Sequence, residues 1–478
     1  MRGTARELRG IALAGGLIVA TATAVPAQSP ADRLALTGLR DSLAAIGDTA
    51  ALRREYRASI GRDGPARRHP LAQLRLGLTA LRLAELGADP DAGQALSHLR
   101  RVSEQHPGWP FAWHAEGLAE TVRALWEQGD RLALGSRVGL GTLERAAGRH
   151  HRALDADGSY APAALALAAI ALGLRDTALF PETRDALRRA VRASRQAPAD
   201  LLLAWGRIER AAGDPDSADL AFQRYAAAAG SVALSSLERA RTGLAAGRTA
   251  AESLYFAGAA SDDSGAVAGY RADLAPIAED SQLARFDRLS GAERAGYLQR
   301  FWTDRDRYEM RADGERLREH YRRLLHARRS FALTVSRRFY GPADAYRSGS
   351  EELDDRGVIY VRHGEPAERL RPFVFGLMPN ESWRYTRAEG DLLFHFSSGY
   401  DASGGGDLYD YRLVESVMDL RGAAEAPVDQ LMLSRQTLSP VYARMLNWGA
   451  FGKARSRARE RGIGQASIAV GTTTDSYE

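Results

Sequence analysis

The sequence predicts an α+β protein: a long array of helices followed by a small domain in which one long helix precedes an antiparallel β-meander. Three observations predict it. Residues 30 to 260 are rich in alanine, leucine and arginine, all good helix formers, and show almost no strand-like alternation. A second amphipathic stretch, residues 313–339, carries Leu317, Tyr321, Leu324, Phe331 and Val335 as one apolar stripe. Strands are expected next at about 382–387, 391–397 and 408–415, joined by glycine-containing loops, and helix-then-strands is the α+β order.

The chain has 478 residues, enough for two or three domains at roughly 150 each. It contains no cysteine, which excludes a disulfide framework, thiolate metal sites, a thiol nucleophile and a lipidated N-terminal cysteine. The formal charge is +5, from 65 Lys+Arg against 60 Asp+Glu, and Lys453 is the one lysine among them. The arginines are spread along the chain and matched by nearby acids, so no nucleic-acid partner is expected.

Residues 1–27 read as a secretory signal peptide. Arg2, Arg6 and Arg9 form a positive start, an apolar stretch runs from Ile11 to Ala24, and Val25-Pro26-Ala27 places small residues before a cut after Ala27. That stretch is 14 residues long, short of the roughly 20 of a membrane-spanning helix. The segment implies an exported, periplasmic or envelope-associated protein, and the lack of cysteine excludes a lipoprotein.

Residues 28–260 divide into helical pairs at Gly87-Ala88-Asp89-Pro90, Gly158, Gly213-Asp214-Pro215 and Gly247. The clearest unit is 201–229. Gly206 stands where two helices approach, Gly213-Asp214 makes the turn, and Ala218 and Phe222 lie four apart on the second helix, so that small residues let the paired helices touch and the aromatic fills the gap between units. This resembles the tetratricopeptide (TPR) pattern. Weaker units fall at 71–107 (Ala95, Leu99, Pro107), 111–158 (Ala146, Ala153, Leu154), 162–198 (Ala186, Ala190, Ala193, Pro198) and 232–259, with Trp113 and Gly117 opening the second of them. Equivalent alanines are spaced 51, 40 and 32 residues apart, so the early units carry insertions over the period of about 34. The resemblance implies a TPR-like solenoid that docks an unnamed protein partner.

Residues 261–300 read as connecting helices, opened by the linker-like Ser261-Asp262-Asp263-Ser264-Gly265 and containing Ser290-Gly291-Ala292-Glu293, laid out as a capping box. The domain of 301–420 begins with Phe301-Trp302-Thr303-Asp304-Arg305-Asp306 and the long helix, whose eight arginines read as a solvated face with local ion pairs. Asp354-Asp355-Arg356-Gly357 then leads into Val358-Ile359-Tyr360-Val361, expected as a strand, which Arg362-His363-Gly364-Glu365-Pro366 ends with a turn.

Glu293-Arg294, Phe301-Trp302, Arg305-Asp306, Asp355-Arg356-Gly357, Gly364-Glu365-Pro366 and Trp383-Arg384-Tyr385, in this order and spacing, resemble the GWxTD domain. The resemblance covers about residues 283–415. Where the family has Gly-Trp-x-Thr-Asp, this chain has Glu351-Glu352-Leu353-Asp354-Asp355 and keeps the last Asp alone. The resemblance implies an exported bacterial protein with helical repeats ahead of the domain, and no reaction; Gly206, Ala218, Phe222, Trp302, Asp306, Asp355, Arg356, Gly357, Gly364, Glu365, Pro366 and Trp383 are expected as structural positions.

Arg362-His363-Gly364-Glu365 after an apolar run also resembles the histidine phosphatase signature. That resemblance implies His363 as nucleophile, Arg362 as phosphate clamp and His395, the one later histidine, as its second histidine. Asp304, Asp306, Asp354, Asp355 and Glu365 would form a hard-cation or carbohydrate-binding cluster if their loops converged. His150-His151 are neighbours that face different sides of a helix, and Gly404-Gly405-Gly406 lacks the lysine and helix of a phosphate loop. No cofactor or metal is expected. Residues 421–478 form a strand/helix extension: a strand at Pro427 to Leu433, a basic helix at Val441–Arg461 that would meet membrane or envelope peripherally if at all, and a strand at Ser467-Ile468-Ala469-Val470 needing a partner in this sheet or in further chain. A non-catalytic interaction or assembly scaffold is the expected function, with the phosphohydrolase and the calcium- or carbohydrate-binding module behind it.

Overall fold

A computed structural model describes residues 29–61, 69–89, 92–129, 140–174, 177–333, 346–373, 377–387, 390–398, 410–421 and 428–446. The expected signal peptide, Val335 and the 334–339 end of the long helix, the Gly404 triplet, the basic end of the C-terminal helix and the 467–470 strand lie outside them.

Helices succeed one another from the start: α1 (Pro30–Ala44), α2 (Thr49–Gly61), α3 (Pro70–Glu85), α4 (Gly93–Gln105), α5 (Pro110–Gly129), α6 (Leu140–Ala156), α7 (Ala161–Leu174), α8 (Phe180–Ala193), α9 (Ala199–Ala211), α10 (Pro215–Ala227), α11 (Val232–Ala245) and α12 (Ala251–Ala259). Local chemistry sets their ends. Pro30, Pro70 and Pro215 occupy first-turn positions, where no backbone donor is needed. Ser29, Asp214 and Ser231 accept backbone N–H bonds as N-caps. Gly213 turns α9 into α10 at φ +87°.

A glycine on the first helix of a pair recurs at the seam. A Cβ on Gly77 would lie 2.5 Å from Leu99 Cδ2, on Gly117 2.5 Å from His150 Cε1, on Gly206 2.4 Å from Phe222 Cε1 and on Gly243 2.6 Å from the Ala251 Cβ. Gly206→Ala is therefore expected to destabilise by about 1–3 kcal/mol through overpacking, although alanine is the better helix former. Urea unfolding checks this, and Phe222→Leu in the same background should recover part of the loss.

One apolar core runs from Leu36 to Tyr225; a second begins at Ala233 and continues to Leu413, so α11 and α12 share a core with the later helices and the sheet. There is no open linker at 261–265: Asp263 caps α13 (Ser264–Leu274) through the Ala266 N–H. Helices α14 (Asp280–Arg288), α15 (Gly291–Tyr308) and α16 (Glu315–Ser330) continue the second core. Ser290 is the N-cap of α15 without a side-chain cap bond; the capping box is one helix earlier, between Glu279 and Gln282. Asp262 takes the Gly291 N–H instead, at 2.9 Å.

One expected element ends early and another changes type. The long helix stops at Ser330: Phe331 turns into the core, and the next residues pair with the chain before α17, Leu333 N–H donating to the Glu352 carbonyl at 3.0 Å. Val358–Val361 is not a strand but part of α17 (Asp355–His363). Its run is buried on every side, a pattern that helix and strand share. The Asp354 side chain decides between them by accepting the Gly357 N–H at 3.0 Å, which starts a helix.

The meander is as expected, with one added strand. β1 (Glu368–Leu370), β2 (Asn380–Tyr385), β3 (Leu392–Ser398) and β4 (Tyr411–Val414) form one antiparallel sheet in chain order. Trp383 pairs with Phe394 and Phe396 with Leu413. These residues face α17 and Phe331. The other face, with Leu393, is covered by a third core that includes Leu431, Met432 and Tyr442. The expected strand at 427–433 is helix α18 (Val428–Leu433), which with α19 (Pro440–Leu446) forms that cover. A sheet apolar on both faces needs a layer on each side.

Candidate functional site

Most residues that resemble the GWxTD pattern, Trp302, Asp306, Asp355, Arg356 and Trp383 among them, are buried in or beside the second core. Arg356 is sandwiched: its Nε and Nη2 donate to Asp354 Oδ2 at 3.0 and 2.7 Å, its Nη1 to Glu381 Oε2 at 3.0 Å, and its guanidinium lies 3.6 Å from the Tyr411 ring centre. Trp383 donates its indole N–H to the other Glu381 oxygen at 2.7 Å. Asp355 accepts the Leu413 N–H at 2.8 Å, tying α17 to β4. Gly357 leaves room for Leu353 and Phe331, whose Cβ atoms would lie 2.9 and 3.0 Å from an added Cβ. Gly364 sits at φ +77°, with the Arg323 guanidinium 2.7 Å from the same added atom. Pro366 is buried and Glu365 exposed in the turn to β1. Trp302 is buried and donates to the Tyr255 hydroxyl at 3.1 Å, while Asp306 accepts the Gly314 and Arg316 N–H groups, joining α15 to α16.

The phosphatase set is not brought together. His363 lies on the inner face of the sheet, stacked on Phe394, with Arg387 Nη2 2.7 Å from its Nδ1. Arg362 turns away and donates Nε to the Pro276 carbonyl at 2.6 Å. His395, the residue after Phe394, points through the opposite face, where Nδ1 meets Ser382 Oγ at 2.7 Å and Nε2 the Tyr442 hydroxyl at 2.9 Å. Burial, and then Arg435, push its imidazole down to about 3. The Ser382–His395 spacing would suit a nucleophile and base, but Ser382, His395 and Arg435 are all 0% exposed, which closes the pair to substrate.

The carboxylates are also dispersed: Asp306, Asp354 and Asp355 serve the three separate contacts above, and no group of three or more His, Cys, Asp or Glu able to hold a metal occurs among the described residues. His150 packs on His114, with 3.3 Å between the Nδ1 atoms, while His151 reaches Glu182 at 3.4 Å. Burial holds His150 well below its ordinary value and His114 down at about 4.

The constellation that sequence reasoning missed is an arginine-lined cavity of about 260 Å³ where the first core meets the second. Arg207 and Arg210 come from α9, Arg241 from α11, and Arg328 and Arg329 from α16. Glu238 is fully buried and takes Arg207 at 2.8 Å, Arg210 at 2.5 Å and Arg241 at 3.2 Å. Behind it Asp273 binds Arg241 Nε at 2.8 Å, Arg328 Nη2 at 2.9 Å and the Tyr321 hydroxyl at 2.9 Å. Glu352 holds Arg328 Nε at 2.6 Å. Burial pushes both inner carboxyls up, but the arginines outweigh it: Arg210, Arg241 and Arg207 hold Glu238 low, and Arg241 and Arg328 hold Asp273 down at about 2. Arg328 and Arg329 belong to the helix whose arginines read as solvated; nothing in their spacing announces that they meet α9 and α11.

No known protein family, curated protein or solved structure matches the chain.

Proposed function

We propose that this chain is an exported, non-catalytic scaffold: a TPR-like array that docks a partner protein, carried on a domain of the GWxTD type. The observation that carries the reading is the glycine seam repeated in four helical pairs, Gly77 with Leu99, Gly117 with His150, Gly206 with Phe222 and Gly243 with Ala251. Such close pairing is what lets successive hairpins stack and present one continuous surface. Leu220 and Val232, 51% and 69% exposed, are large apolar side chains on the outside of that array. The placement of His363 and His395 on opposite faces of the sheet favours binding over phosphoryl transfer.

Two measurements test this. A photo-crosslinking residue at Leu220 or Val232, placed in the protein in its native host, should give one discrete protein adduct, and Leu220→Glu should abolish the adduct formed from Val232; a smear or no adduct refutes the scaffold. Purified protein should not turn over p-nitrophenyl phosphate, and turnover lost in His363→Ala would restore the phosphohydrolase reading. N-terminal sequencing of exported protein, expected to start at Gln28, tests the compartment.

A further inference from the structure

We propose that the arginine-lined cavity between the two cores is a binding site for a small organic dianion: an apolar body carrying a phosphate or a pair of carboxylates. The inference stands apart from the scaffold reading.

Charge is its first support. Five guanidiniums meet at this cavity, and among the described residues the carboxylates paired with them are three, Glu238, Glu352 and Asp273, which leaves an excess of two positive charges in that set. Arg329 makes no ion pair among the described residues; it donates Nη2 to the Ala211 carbonyl at 3.2 Å. Arg207 commits Nε and Nη2 to a single oxygen of Glu238, which already serves Arg210 and Arg241. Clustered cations repel one another; solvent screens part of that repulsion at Arg207 and Arg329, and a bound anion would offset the rest. The mutual repulsion is visible at Arg210, whose basicity is lowered by burial foremost, with Arg241 and Arg328 adding to it against the pull of Glu238.

Shape is the second support. Leu172, Phe180, Ala211 and Leu325 line the rest of the cavity. At about 260 Å³ it is smaller than most drug-sized sites and suits a compact ligand. Guanidinium forks match phosphate and carboxylate oxygens two at a time. Geometry also assigns a consequence. Arg207, Arg210 and Phe180 belong to the first core's helices, whereas Arg241, Arg328 and Arg329 belong to α11 and α16, so a bound dianion bridges the two halves.

The test uses the full chain at fixed ionic strength, with phenyl phosphate as probe, read by calorimetry and by thermal unfolding. Expected are saturable binding and a rise in Tm with ligand concentration. Phenyl phosphate should bind at least tenfold tighter than benzoate (one charge), inorganic phosphate (no apolar body) or phenol (no anion). Arg329→Gln and Arg207→Gln should each weaken binding tenfold or more. Both side chains sit toward solvent, Arg329 exposed and Arg207 38% exposed, so the variants keep the fold, which circular dichroism verifies. Absence of saturation, equal affinity for benzoate or inorganic phosphate, or unchanged affinity in both variants overturns the site.

Discussion

Arg356→Ala should cost about 3–5 kcal/mol at pH 7, the range for stranding buried charge by removing its partner. Arg356 answers two buried carboxylates at once, Asp354 and Glu381, and covers the Tyr411 ring. Glu381 keeps Arg369 and Arg371, each at 3.2 Å, so most of the loss falls on Asp354. The pH dependence separates this from lost packing. Burial pushes the Asp354 carboxyl up to about 6, against the pull of Arg356. A folded value above the ordinary 3.8 means that the fold prefers the protonated acid, and that this preference is lost as pH rises through about 6. Without Arg356 the carboxyl rises further, so the cost of the substitution should be largest at pH 7 and shrink toward pH 5, where Asp354 takes a proton and no longer needs a cation. Adding Asp354→Asn, which preserves the N-cap of α17, should recover part of the loss. Urea midpoints at the two pH values decide it, and additive losses with no pH dependence would refute the account.

Asp273→Asn should cost about 3 kcal/mol or more at neutral pH, because Arg241, Arg328 and the Tyr321 hydroxyl all converge on that carboxylate. Here the sign is reversed. Asp273 is held at about 2, below its ordinary 3.8, so its ionised form contributes stability that is complete above about pH 4 and lost as pH falls toward 2. That window holds about 2 kcal/mol, and Glu238 adds to it with the same sign. Stability measured between pH 5 and 2 should fall less steeply in the asparagine variant than in the parent chain. Equal slopes would show that Asp273 is not held ionised by Arg241 and Arg328, since Glu238 is common to both chains.

Much of the architecture was legible along the chain. Alanine- and leucine-rich segments broken by Gly213-Asp214-Pro215 and Gly247 became helices with those ends, since caps, proline starts and left-handed glycines act within a few residues. That Gly206 marks a close approach of two helices was legible too; that Phe222 lies against it within the pair, and not between units, came from the folded chain. Glycine-containing breaks around 388–390 and 399–407 marked off two strands of the meander. The two segments expected as strands and found as helices are short: Val358–Val361 is an apolar run that suits a buried helix or strand alike, and 428–433 offers too few residues to fix a period, so contacts outside each segment settle its type.

Local order along the chain thus marked most helix breaks of the array, the apolar faces and the small residue at one hairpin seam, because those effects reach no further than a turn or two. Only the folded molecule could decide that His363 and His395 are divided by a sheet, and that arginines from α9, α11 and α16, up to 122 positions apart, share one cavity. Charge acts through space over several ångströms regardless of sequence separation, so a site made of distant side chains leaves no periodic trace in the chain that builds it.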